Sequence, residues 1–245
     1  MAKLTVSLFL SVCLSLQLGA AFPYQNSLNS IDDNDVKSNE LHNSKATEST
    51  AADFLKSLQP VILNTLAVLQ DHSNTLIQET SKFVDDLLVE LNALPEANEY
   101  VQELIPELTN LLDRMETIEL HDDSPHVLRE KAALLRAIAK MYVDFDRVQK
   151  GIDENADHAV LREVFAKLEL AELNERVGKS VRAAVQKFTV VFERFWNSLS
   201  EAEKADHKDM SEWYERFEAK ENAQEKFKSF VEFLHIIEKI VRNKN

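Results

Sequence analysis

The stretch 177–199, VGKSVRAAVQKFTVVFERFWNSL, decides the fold class. Val177, Val181, Ala184, Phe188, Val191 and Phe195 follow one another at steps of four, three, four, three and four, which places them on one stripe of an α-helix. Val185, Phe192 and Leu199 widen that stripe, while Lys179, Arg182, Lys187, Glu193 and Arg194 occupy the other side. A helix of this kind must bury its aromatic stripe, and the remaining amphipathic segments are the partners that can cover it.

Outward from this helix the same period recurs. On its C-terminal side, Ser200-Glu201-Ala202-Glu203 has the form of a capping box and opens a segment with Trp213, Tyr214 and Phe217. A last helix, expected from about Glu221, aligns Ala223, Phe227, Phe230, Leu234, Ile237 and Val241. On the N-terminal side, Val160, Val164, Phe165 and Leu168 mark a shorter helix, with a break expected at 171–178 where the period fades. Before it, Ser124 and Pro125 stand as N-cap and first helical residue of a helix carrying Leu128, Leu135, Ile138, Tyr142, Phe145 and Val148, closed by Gly151. Pro95 is expected to start the preceding helix, on Val101, Leu104, Leu108, Leu111, Met115 and Ile118, with a kink at Pro106. The first ordered segment is expected from Thr50 as N-cap, on a run from Leu55 to Leu91, and the polar tetrad Asp71-His72-Ser73-Asn74 is its weakest point, which leaves one helix or two open.

The predicted fold is therefore all-α: an antiparallel bundle of about five to seven amphipathic, partly kinked helices over residues 50–243. Three glycines in 245 residues supply few of the turns a sheet protein needs, and one of them, Gly19, lies in an apolar leader. Residues 1–21 read as a signal peptide, with Lys3, an apolar run from Leu4 to Leu18, and Gly19-Ala20-Ala21 before a cut near Phe22. A membrane anchor is the competing reading, disfavoured because the run is short and ends in small residues. No later stretch is long and apolar enough to be a transmembrane segment. Residues 22–49, rich in Asn, Asp and Ser at no helical period, are expected to be a disordered polar arm. The expectation is a secreted, extracellular protein. The single cysteine, Cys13, lies in the leader, so the mature chain would hold its fold without a disulfide.

The formal net charge of −14 speaks against a nucleic-acid partner. The charge is uneven: thirteen acids face only Lys82 and Arg114 between residues 79 and 123, whereas 177–196 and 226–245 are each net basic. Acidic and basic helices paired within one bundle is the first reading of that pattern, and a polarised surface steering a charged partner is the second. Catalytic motifs are absent: no Gly-x-Ser-x-Gly elbow, no phosphate-cradling glycine loop and no His-Glu-x-x-His pair. Glu232 and His235 form a lone Glu-x-x-His without the second copy a di-iron bundle needs. His121, Asp122, Asp123 and His126 could hold zinc, but plain helix capping is the preferred reading of the loop, since no fourth ligand or rigid frame is visible. The reading is non-enzymatic, with no cofactor and no metal.

Seven of the thirteen Phe and both Trp fall between Phe188 and Phe233. Core packing is the first reading of this loading and a lined apolar cavity the second. On the second, Phe188, Phe192, Phe195, Trp196, Trp213, Phe217, Phe227 and Phe230 line the site of a lipid or other small apolar molecule, and Arg182 and Lys187 meet an anionic head group. The alternative function is an interaction module that docks an extracellular protein partner through its acidic and basic surfaces. In architecture and composition the chain is similar to secreted, cysteine-poor helical lipid carriers such as insect apolipophorin III and the nematode fatty-acid- and retinol-binding proteins. That likeness covers the helical part and transfers no site residue.

Overall fold

The computed structural model of the chain describes residues 44–95, 98–151 and 157–242. The signal peptide, the polar arm as far as residue 43 and residues 152–156 of the turn after Gly151 lie outside them. Among the described residues there are eight helices and no strand.

The first, α1 (Ser44–Asn92), is a single helix of 49 residues, roughly 70 Å long at 1.5 Å per residue. It begins six residues before Thr50, which therefore lies inside the helix and does not cap it. The polar tetrad does not divide it either. Ser73 Oγ donates to Leu69 O at 2.8 Å and Thr75 Oγ1 to Asp71 O at 2.9 Å, so these hydroxyls are satisfied by the helix's own carbonyls. Pro60 sits on an exposed position, where a carbonyl left without its amide faces water.

The next helix, α2 (Glu99–Thr117), starts four residues beyond Pro95, because Asn98 is its cap: the Asn98 side chain accepts from Val101 N at 2.9 Å. For α3 (Pro125–Lys150) both expected signals hold. Ser124 is the N-cap, and Gly151 takes a left-handed φ of 63° so that its N–H reaches the Arg147 and Val148 carbonyls. The break expected at 171–178 falls earlier, between α4 (Asp157–Lys167) and α5 (Leu170–Ser198), at Glu169 with φ 52°. Residues 170–177 carry Leu170, Leu173 and Val177 on the continuing stripe, with good helix formers between them, and α5 runs on through Gly178. A short α6 (Glu201–Asp206) opens with the capping box of Ser200 and Glu203, and α7 (Lys208–Glu218) follows across a break at His207. In the last helix, α8 (Ala223–Arg242), Asn222 accepts from Glu225 N at 2.8 Å.

Helix α1 is the spine. Phe54 meets Phe195, Asp71 pairs with Lys187, Glu79 with Arg176 and Glu90 with Lys167, so α5 and α4 run antiparallel along its length. Glu79 and Glu90 of the acidic tract thus pair with Arg176 and Lys167, and Lys187 of the basic stretch pairs with Asp71, all inside one bundle.

Along that spine the buried residues fall into two clusters. One gathers the C-terminal half of α1, α2, α3 from Leu134 onward, α4 and the start of α5. The other gathers the N-terminal half of α1 and the rest of α5 with α7 and α8.

Candidate functional site

The eight rings singled out in the sequence are brought together, in the second cluster. Phe188 is its centre, with ring centroids 4.3 Å from Phe230, 5.4 Å from Phe233, 5.5 Å from Phe192, 5.6 Å from Phe217 and 6.0 Å from Trp213. Trp213 has no exposed surface, and its indole N–H donates to Ser229 O at 3.0 Å. Trp196 and Phe227 sit half-buried at the edge. Rings at these spacings touch one another in stacked, edge and tilted arrangements, so an apolar guest enters only by displacing one of them. The remaining two predicted site residues face away. Arg182 pairs with Glu175 at 2.8 Å and Lys187 with Asp71 at 3.3 Å, both on exposed surface. The cluster is built as a core.

Open space of useful size lies in the other lobe. Between α2 and α3, with the start of α4 at one end, there is a cleft of about 440 Å³. That volume is in the range occupied by small-molecule sites. Its apolar floor is Leu104, Leu108, Leu111, Met141, Phe145 and Val148, contributed by the inward stripes of α2 and α3. The rim alternates in charge: Glu103, Glu107 and Asp144 against Arg114, Lys140 and Arg147. Because α2 and α3 are antiparallel, Arg114 lies toward the Ala137 end and Tyr100 toward the Val148 end, where the buried His158 stacks edge-on to Tyr100 at 4.7 Å. Burial, with smaller contributions from Asp144 and Glu107, pushes the Tyr100 hydroxyl above its ordinary pKa, so it stays a neutral donor at neutral pH. Neither Arg114 nor Lys140 is in an ion pair among the described residues, which leaves two cations available to a bound group. A second concavity, at the turn between α7 and α8, has Ala219 as its one apolar lining residue and no floor to hold a hydrocarbon.

The sequence reading missed this cleft. Each floor residue but Met141 was visible as part of a core stripe, yet a groove appears only when two stripes are set side by side at a particular separation.

The metal-like patterns are otherwise engaged. Asp122 accepts from Ser124 N at 2.7 Å and from its hydroxyl at 3.1 Å, and Asp123 accepts from Gln70 at 2.6 Å. Lys131, buried on α3, donates to Leu120 O at 2.5 Å and Asp122 O at 3.2 Å, and thereby ties the same loop down. Glu232 pairs with Arg216 and His235 is exposed. No three His, Cys, Asp or Glu side chains among the described residues are grouped to hold a metal ion. No helix among them is long and apolar enough to cross a membrane. No protein-family model matches the chain, and neither the curated proteins nor the solved structures compared with it include a match.

Proposed function

We propose that the chain is a secreted, non-enzymatic carrier of a small apolar ligand, and that the ligand lies in the cleft between α2 and α3. The observation that carries this reading is the cleft itself: about 440 Å³ with a continuous floor of Leu, Met, Phe and Val and two unpaired cations at the rim. An apolar molecule resting there removes mainly its own surface and that of the half-buried Leu104 from water, at about 25 cal/mol per Å², since the other five floor residues are already buried. The polar rim then fixes its orientation.

The test uses the position of the tryptophans. Trp196 and Trp213 belong to the aromatic cluster, and none lines the cleft. A fluorescent fatty acid that binds in the cleft is expected to saturate with little change in Trp emission, and Leu104→Trp, which fills the half-open floor, is expected to abolish binding. Saturable binding with a large change in Trp emission, unaffected by Leu104→Trp, would move the ligand to the aromatic cluster. Absence of saturable binding, together with no lipid in organic extracts of native protein, would end the carrier reading.

A second reading is favoured by one observation on α2. Glu99, Glu103 and Glu107 stand at four-residue steps, exposed, and form no ion pair among the described residues. Such a stripe suits a basic segment of an extracellular partner. Retention of a partner from native fluid at low salt, and its loss at moderate salt, would support this alternative.

A further inference from the structure

The two clusters meet at a polar joint. On α1 it holds Asp71, His72, Ser73 and Asn74, and on α5 it holds Gly178, Lys179 and Ser180. His72 Nδ1 lies 3.0 Å from Ser180 Oγ, and the half-buried ring stands edge-on to Phe227 of α8 at 4.8 Å. Asn74 Oδ1 is buried with no hydrogen-bond partner, and so is Asn64 Nδ2 further along α1. These are polar atoms that water would satisfy if the helices parted there.

We propose that this joint is an acid-sensitive hinge: protonation of His72 loosens α5 and α8 from α1 and lets the two lobes open. A neutral imidazole is served by the Ser180 hydroxyl on one nitrogen and by hydrocarbon elsewhere. An imidazolium has two N–H donors and a full charge, and this site offers it one hydroxyl and the edge of Phe227.

The charged groups bordering the joint do not compensate. On α1, Asp71 is held by Lys187 of α5, and on the loop between α2 and α3, Asp123 is held by Gln70. Arg182 on α5 is matched by Glu175 of its own helix, and Glu79 on α1 by Arg176. Further along these helices stand Lys179 on α5 and Glu225, Lys226 and Lys228 on α8, of which Lys226 pairs with Glu218. Burial accordingly lowers the His72 pKa from 6.5 to about 4. A ring that titrates at 6.5 when the joint is open and at about 4 when it is closed favours the open form nearly thirty-fold more at pH 5 than at pH 7.5.

Hydrogen exchange on the full chain at pH 7.5 and pH 5, corrected for intrinsic rates, tests the hinge independently of any ligand. Protection in segments 68–78 and 176–184 is expected to fall about thirty-fold at pH 5, with both lobe cores still protected. His72→Phe, which keeps a ring against Phe227 without a proton to gain, is expected to remove that pH dependence. His72→Gln serves the same purpose where the Phe variant does not fold. Unchanged protection between the two pH values, or loss with the wild-type midpoint in the His72 variant, would overturn the proposal. So would an NMR titration of His72 with a midpoint near 6.5 in the closed protein.

Discussion

Two lobes share the same two long helices and solve the packing problem differently. Among the described core residues, eight of eighteen in the lobe around Phe188 are Phe or Trp, against four Phe and Tyr of twenty-four in the lobe around Phe145. Rings contributed from α1, α5, α7 and α8 interlock at their edges and close the first lobe. In the second, Phe83, Phe145 and Phe165 make one small group at 4.6–6.4 Å, and the aliphatic stripes of α2 and α3 leave a groove beside it. The residues that look most like a ligand site in sequence are thus the most thoroughly used for stability. The plainer aliphatic helices hold the open space.

The contrast can be broken most directly at Trp213. Its replacement by Ala removes a fully buried ring in contact with Phe188, Phe192, Phe217 and Phe233, along with the bond to Ser229. The expected cost is about 3–5 kcal/mol in denaturant unfolding. A cost under about 1 kcal/mol would mean that the aromatic lobe is loosely filled after all.

Next in size is a pH effect on the boundary between the lobes. His72 is neutral in the folded chain, and its folded pKa of about 4 lies below the ordinary 6.5. Above pH 6.5 neither state binds the proton and its full stabilising effect is present. That contribution is lost as pH falls from 6.5 toward 4, because the unfolded chain takes up the proton first. The loss is about 3 kcal/mol at most, measured as the difference between wild type and His72→Phe across the titration. A flat difference would show that the ring is already open to water.

Smaller effects test the helix ends of each lobe. Gly151→Ala forces an alanine into a left-handed φ of 63° with no steric neighbour within 4 Å, so strain alone is measured, at about 1–2 kcal/mol. Ser200→Ala removes the capping box that opens α6, at about 1 kcal/mol. Thermal unfolding of both variants checks these values. Leu63→Gln is the baseline for the whole series: 57% exposed on α1, it is expected to change stability by less than about 0.5 kcal/mol.

Legibility in the sequence followed the range of the interaction. The stripe Val177 to Leu199, the Ser124–Pro125 start, the Gly151 stop and the Ser200 capping box are local, and all four are found in the structure. Misplaced boundaries arose where a local signal had a rival. Asn98 outcompetes Pro95 as a helix start, and the leucines of 170–177 override the expected break. The polar tetrad was visible as a weak point, but not as the border between two cores, because that border depends on Ser180 and Phe227 arriving from far along the chain. The cleft was hidden for the same reason.

The antiparallel match between α1 and α5 has a temporal consequence. His72 and Ser180 are 108 residues apart in sequence, and the ring cluster that covers Phe54 draws on residues as late as Ile237. During synthesis, the apolar face of the first helix emerges long before the residues that will cover it. At a translation speed of 5–20 residues per second, this gap is on the order of ten seconds or more. The lobe built from α2, α3 and α4 has its partners close at hand and can assemble early, whereas the aromatic lobe must await the C-terminus. A nascent chain of this protein therefore leaves the Phe54–Leu69 half of its first helix exposed until α5 has been made, and truncation of α8 would leave the rings of Phe188 and Phe217 without Phe230.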